Sequence, residues 1–591
     1  MTDTWDAIVV GLGASGAILA QALAQAGARV LGIEKGAGPG QGGTIAAHDE
    51  IRQFIRGELL PGMATDPITW RPRPGCRAVV LPWAQAVYPL ADPFHLPPSN
   101  GVGGGTLHWT AASWRFRASD FRMRRAIDER FGRHALPDGT GVVDWPVDYA
   151  DLEPYYDRVE WEFGVAGTAG NIGGVLADGG NPFEAPRRRH YPLPPLRRGP
   201  ADHLFATACQ RLGYHPFPQP AAIASLPYRG RPACTYCGFC HGYPCHVGAK
   251  ATTSTCVSQG LRTGNLRVLT GARVLRIGRR SGRRAGGVTY LAPDGRLGRA
   301  QAPLVVLACY TLENTRLLLL SGIGADGQVG RWFMTHNYGD LTGVLPDRAN
   351  GFMGAQAGAS VIDDLSSESV PDNDLGVLWG SPVISVPGDF QPLEAAHMRP
   401  ASVPRWGRPL KKWLKDNFRH LYGMCSQTAS LPSRAAFCDL DPHVSDPWGR
   451  PALRITHDWT DYDQRAAELM LGVKRAIAHE MGLRDWWEAS PAPVYHISNH
   501  DAGTYRMGCD PVTSVVDPYG ECHTCPGLYV LGGGQFPTLG GYNPTQTIQA
   551  LAVRTADHII GRRAASAAGL AAAKLPDGLA AGKLPDALVR R

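Results

Sequence analysis

No stretch of the 591-residue chain carries the roughly 18 consecutive apolar residues that a membrane-crossing helix needs, so no span is expected. The start, MTDTWDAIVVG, has no basic segment, no apolar signal core and no twin arginine, and it runs straight into a strand pattern. With no export signal of its own, the expected location is the cytoplasm, or the periplasm by co-export with a signal-bearing partner. Charge of one sign is also scarce: 59 Lys and Arg face 52 Asp and Glu, a net +7. The basic residues are scattered except in PRRRHYPLPPLRR (186–198), which reads as a solvated proline-rich loop, and no nucleic-acid partner is expected. Nine of the thirteen cysteines are spread out, which suits buried thiols in a reducing compartment better than a disulfide framework. The 44% apolar and 19% charged shares are those of a globular protein long enough for more than one core.

What is there begins with DAIVVGLGASGAILAQALAQAGARVLGIEKG (6–36). Ala7 to Val10 is a short buried run, and Gly11, Gly13 and Gly16 form G-x-G-x-x-G. Ile18, Leu19, Leu23 and Ala24 give a helical apolar face, and Val30 to Ile33 is a second strand that ends at Glu34. Glycines let the backbone approach a pyrophosphate, the helix N-terminus offers free N–H groups, and the acid binds ribose hydroxyls. Strand, turn, helix, strand and acid together read as a dinucleotide site.

Further segments follow in order. NGVGGGTLHWTAASWRF (100–116) is a second glycine-rich stretch. NLRVLTGARVLRIGRR (265–280) looks like a strand pair, and APLVVLACYTLENTRLLLLSGIG (302–324) like strand, turn and helix. DLDPHVSDPWGRPALRI (439–455), HDAGTYRMG (500–508) and LYVLGGGQFPTLGGYNPTQTIQALAVRTADHI (528–559) complete the set. In this order, from Ile8 to about Ile560, the segments resemble the glucose–methanol–choline (GMC) oxidoreductase family. The resemblance, not the glycines, selects FAD over NAD. It implies an α/β fold in which a Rossmann-like FAD-binding domain is interleaved with an α+β substrate-binding domain, as in p-hydroxybenzoate hydroxylase. It also carries cofactor contacts onto Gly104, Gly105, Thr106, His108, Val274 and Gly534, beside Gly11, Gly13, Gly16 and Glu34. GTLHW resembles the loop of pyranose oxidases and fructose-dehydrogenase-like members, in which the histidine before the tryptophan is bonded to the flavin 8α-methyl. Here that residue is His108, which either carries the link or only packs near the ring.

The reaction implied is removal of an alcohol proton while hydride leaves to flavin. A neutral imidazole suits the proton step. By resemblance His500 stands at the family's first active-site position and Asn543 at the second. Asn543 can hold the substrate oxygen but cannot act as a base, and it also reads as a helix cap before Pro544.

CTYCGFCHGYPCHVGAK (234–250) places Cys234, Cys237, Cys240 and Cys245 in C-x2-C-x2-C-x4-C. Such spacing suits an iron–sulfur cluster, although the last gap is one residue longer than in a ferredoxin loop and no proline follows. Zinc, a disulfide and simple packing remain open. The sequel HVGAKATTST resembles family members that pair FAD with a cluster, which implies a [3Fe-4S] or [4Fe-4S] centre here. That implies relay of electrons to a quinone, a cytochrome or a small partner subunit. Without a cluster the alternative is an oxidase that uses oxygen and makes hydrogen peroxide, or a secondary-metabolism enzyme acting on another alcohol. Cys522 and Cys525 in ECHTCPG (521–527) read as a surface turn. The expected layout is an FAD-binding domain over 1–345 that includes the Cys-rich segment, a substrate domain over 346–495, a returning FAD and active-site segment over 496–562, and an Ala/Pro-rich tail over 563–591 with a repeated KLPD. The substrate is expected to be a small alcohol, with a sugar, glycoside or polyol favoured.

Overall fold

The computed structural model describes residues 4–36, 48, 50–51, 69–73, 100–280, 283–324, 327–387, 391–489 and 500–573. The KLPD repeat lies outside the described residues. Among the described residues no helix is long and apolar enough to cross a membrane.

Five strands form a parallel sheet in the order Leu528–Val530, Leu304–Leu307, Ala7–Val10, Val30–Glu34, Leu266–Thr270. Ala7–Val10 and Val30–Glu34 are buried throughout, as their unbroken apolar runs require of strands covered on both faces. Chain order reverses beside Ala7–Val10: later strands add on both its sides. Such a switch point opens a crevice at the carboxyl ends of the strands. The turn Gly11–Gly16 sits there, and helix Gly16–Gln25 runs from it. The two strands expected in 265–280 are present but do not pair with each other. Gly271, at φ +67°, turns the chain between them. Leu266–Thr270 stays in the parallel sheet, whereas Arg273–Arg279 opens a three-stranded antiparallel layer with Ala285–Leu291 and Leu297–Gln301.

A second, seven-stranded antiparallel sheet runs Asp485–Ala489, Asp340–Val344, Leu421–Ala429, Val383–Val386, Ser360–Ile362, Phe217–Pro218. His336–Tyr338 pairs with the far end of Leu421–Ala429. This sheet draws strands from both sides of residue 345, which is how the two halves interleave. Helix Asp461–Glu480 packs on it and starts in a capping box, where Thr460 and Asp463 bond each other's backbone N–H at 2.8 and 3.2 Å. The last helix, Thr545–Ala573, extends eleven residues into the expected tail, because an alanine-rich segment is a strong helix former.

Two surface expectations are corrected. The 186–198 segment is not a purely solvated loop: Arg187 is buried, pairing with Glu160 and, at 2.8 Å, with Glu184. Glu160 also takes Arg115 Nε at 2.7 Å, and the burial cost of these charges is offset by their mutual pairing. Cys522 and Cys525 are buried within the main apolar cluster rather than lying on a surface turn. There their small apolar side chains pack like core residues.

Candidate active site and cofactor cradle

The glycine turn is built from close contacts. Gly11 has φ +86°, and a Cβ there would lie 2.8 Å from the Ala308 carbonyl oxygen. A Cβ on Gly16 would lie 2.0 Å from the Gly11 oxygen. At Gly13 a Cβ would meet nothing nearer than the Gly104 Cα at 3.8 Å, and at Gly105 nothing within 4 Å. The two glycine-rich loops thus approach each other around open space that side chains would fill. Glu34 sits buried at the strand end. Its two oxygens accept from the N–H groups of Leu12 at 3.0 Å and Gly36 at 2.9 Å, and burial pushes its carboxyl up. Both oxygens keep lone pairs for ribose hydroxyls. These residues fit the adenosine and pyrophosphate of an FAD.

The other expected cofactor residues flank this cradle. Gly104 has φ +51° and opens a short 3-10 turn, Gly104–Leu107. Thr106 Oγ1 donates to the Gly103 oxygen at 2.6 Å and accepts from the Thr253 N–H at 3.0 Å. Thr253, which sequence reading passed over, also reaches the Gly13 oxygen at 3.2 Å and so ties three segments together. Val274 is the second residue of the strand Arg273–Arg279, which follows Ala272, whose N–H donates to the Glu34 carbonyl at 3.1 Å. Gly534 is needed for packing: a Cβ there would strike the Tyr505 ring at 2.2 Å.

His108 follows the turn, and burial beside Lys250 and His241 pulls its imidazole down to about 3, so it is neutral at any ordinary pH. Its carbonyl accepts from Gly242 N–H at 2.9 Å, inside the Cys-rich segment. Lys250 completes the junction. Its buried ammonium donates to the carbonyls of Trp109, Cys240 and Tyr243 at 2.6, 2.7 and 2.7 Å. The His108 loop and the thiol loop are therefore one packed unit.

Cys240 is buried in an apolar cluster against which Cys234 and Cys245 pack, and Cys237 Sγ lies 3.9 Å from His246 Nδ1. Burial raises the Cys240 thiol to about 12 despite Lys250. No disulfide joins any of the described cysteines. A distinct trio, His48, Cys237 and His246, brings ligand atoms within 4.8 Å of one another. The spacing singled out the four cysteines but gave no sign of His48, which comes from nearly 190 residues upstream.

The candidate alcohol site forms around His500 and Asn543. Strand His336–Tyr338 alternates faces, so His336 and Tyr338 both turn toward His500. His500 Nδ1 lies 2.9 Å from His336 Nδ1 and 3.1 Å from Tyr338 Oη. His500 Nε2 faces Asn543 Nδ2 at 3.5 Å. The Asn543 oxygen accepts from Trp114 Nε1–H at 2.9 Å, so it is held by the indole rather than by a helix N–H. The structure thus brings His500 and Asn543 together, as expected from their motifs. Behind Trp114, a small cavity is lined by Arg115, Arg117, Glu184 and Asp363. Its charges already bind one another, Arg117 to Asp363 at 3.1 Å among them, and it supports the Trp114 arm rather than offering a reaction site.

Comparison with known proteins identifies the family. Family models described as GMC oxidoreductase match residues 142–338 and 432–552. The gluconate 2-dehydrogenase flavoprotein of Pantoea cypripedii is 32% identical over 574 residues, 92% of each chain. The fructose dehydrogenase large subunit of Gluconobacter japonicus is 28% identical over 472 residues, 78% of this chain and 80% of that one. The crystal structure of pyridoxine 4-oxidase from Mesorbium loti has a TM-score of 0.58 over 94% of this chain and 99% of that one, at 17% identity, which is a likeness of fold. These matches show that the chain belongs to the GMC oxidoreductase family and is an FAD-dependent enzyme acting on CH–OH groups.

Proposed function

We propose that the enzyme is a dehydrogenase that oxidises an alcohol carbon of a sugar, glycoside or polyol and hands the electrons, by way of an iron–sulfur centre, to an acceptor other than oxygen. The pairing of His500 with Asn543 carries the alcohol chemistry. His500 Nε2 takes the hydroxyl proton, and Asn543 Nδ2, fixed by Trp114, donates to the same oxygen and orients the carbon that loses hydride. Bound FAD supplies the hydride acceptor. Gluconate and fructose as named substrates of the two relatives favour a sugar or sugar acid.

Lys250 supports the electron route, because it welds the His108 loop to the thiol loop. Cys234, Cys237, Cys240 and Cys245 are the residues that would hold a cluster, which supplies one-electron transfer. The acceptor in this reading is a quinone, a cytochrome or a partner subunit. Protein purified without air is expected to contain iron and acid-labile sulfide as well as flavin, and to reduce quinone or cytochrome acceptors under argon. Flavin without iron, together with peroxide formation in air, would overturn the relay.

His108 is proposed to carry a covalent bond to the flavin, since burial keeps its imidazole neutral in the loop beside the cradle. Acid precipitation is then expected to leave a yellow pellet. A colourless pellet under a yellow supernatant shows that His108 is only a neighbour of the ring.

A further inference from the structure

The polar chain through the alcohol site has fixed polarity at both ends. At one end, the Gly540 carbonyl can only accept, and His336 Nε2 lies 2.7 Å from it, so that nitrogen carries a proton. His336 is buried, and burial pulls it down to about 4, so its Nδ1 bears a lone pair. His500 Nδ1, 2.9 Å away, must then be the donor. At the other end, the Trp114 indole can only donate, and it takes the Asn543 oxygen, which turns the Asn543 amide N–H₂ toward His500 Nε2. Both ends require the same tautomer of His500, with the proton on Nδ1 and the lone pair on Nε2.

We infer that His336 is a positioning residue that holds His500 in the tautomer whose Nε2 can accept the substrate proton, by accepting from His500 Nδ1–H while its own Nε2–H is anchored on Gly540. This rests on the reading of His500 as the base. The step balances: the alcohol O–H breaks, the proton goes to His500 Nε2, and the imidazolium so formed keeps its Nδ1–H on His336. An acceptor at that nitrogen stabilises the charged ring, so His336 strengthens the base as well as aiming it. Tyr338, 3.1 Å from the same Nδ1, shares the donor. The other titratable groups on the packed elements turn elsewhere. Asp501 bonds Tyr310 and Thr335, and Asp120, behind Gly540, bonds Ser367 and the Arg117 N–H. Lys474, under Gly339, bonds Ser426.

The experiment is anaerobic reduction of the bound flavin by substrate across pH, in the holoenzyme and in variants of matched flavin content. His336→Leu is expected to slow reduction by roughly 10–10³-fold, the scale of losing one hydrogen bond that strengthens in the transition state. The limb of its rate profile that reports loss of the base's proton moves to lower pH. His336→Asn, which keeps an oxygen acceptor near the place of Nδ1, recovers most of the rate. In a His500→Ala background, His336→Leu adds little further loss, because the two act as one unit. A flavin-loaded His336→Leu protein with the wild-type rate and limb overturns the inference. So does an equal loss with and without His500. If the leucine variant does not hold flavin, His336→Asn is compared with His336→Gln, whose longer arm can reach Gly540 but sets no acceptor at Nδ1. Asn is expected to be faster, and equal rates overturn the inference. The two readings fail separately: a wild-type rate in His500→Ala removes the base itself, whereas a slow His500→Ala with an unaffected His336→Leu removes only the role of His336.

Discussion

His500→Ala is expected to slow substrate reduction of the flavin by roughly 10²–10⁴-fold, about 3–5 kcal/mol of barrier, with flavin still bound. Among the described residues, His500 has Nδ1 held by the two rings of the His336–Tyr338 strand and Nε2 facing Asn543, which is the geometry of the proposed base. Its removal leaves Asn543 and Trp114 in place, so binding and orientation survive while the proton has no positioned acceptor. Asn543→Ala should cost less, roughly 10–10³-fold, because it takes away one donor to the oxygen and no base. Stopped-flow mixing without oxygen isolates this step from electron delivery to the acceptor. An unchanged rate in His500→Ala would move the base elsewhere in the pocket.

Gly16→Ala is expected to yield protein essentially without flavin. The added methyl would sit 2.0 Å from the Gly11 oxygen and 2.9 Å from the Ala308 Cβ, with backbone rather than a flexible side chain in the way. The turn can admit it only by opening, and an open turn takes the helix N–H groups away from the pyrophosphate. Gly105→Ala is the control. Its methyl meets nothing within 4 Å in the protein, so any loss of flavin there reports contact with the cofactor itself. The ratio of flavin absorbance to protein after gel filtration reads both. A fully loaded Gly16→Ala protein would contradict the cradle.

The parts of this site that could be read in the sequence are those whose partners are local. Gly11 to Glu34 is one strand–turn–helix–strand unit, and its spacing carries its own meaning. His500 and Asn543 sit in short motifs whose order along the chain implies their meeting. Residues that act across distance in sequence were not legible. His336 meets His500 over 164 residues, and nothing near THNYGD says which strand will lie opposite. The one local signal was two ring side chains two residues apart, on one face of a strand. Lys250 and Thr253 look like filler after the cysteines, yet they reach back 141 and 147 residues to the second glycine loop. Arg187 looked solvated because its partner Glu160 lies a full helix away, and only the packed structure shows that the charge is buried. The boundary near residue 345 was hard to place for the same reason: the antiparallel sheet takes strands from both sides of it.

The most direct test of the central claim is anaerobic mixing of the flavin-loaded enzyme with a panel of sugars, glycosides and polyols, followed by the visible flavin band. At least one of these alcohols is expected to bleach the band, more slowly when the carbon that loses hydride bears deuterium, and His500→Ala is expected to abolish most of that bleaching. A protein whose flavin is reduced by dithionite but stays oxidised with every alcohol in the panel would contradict the claim.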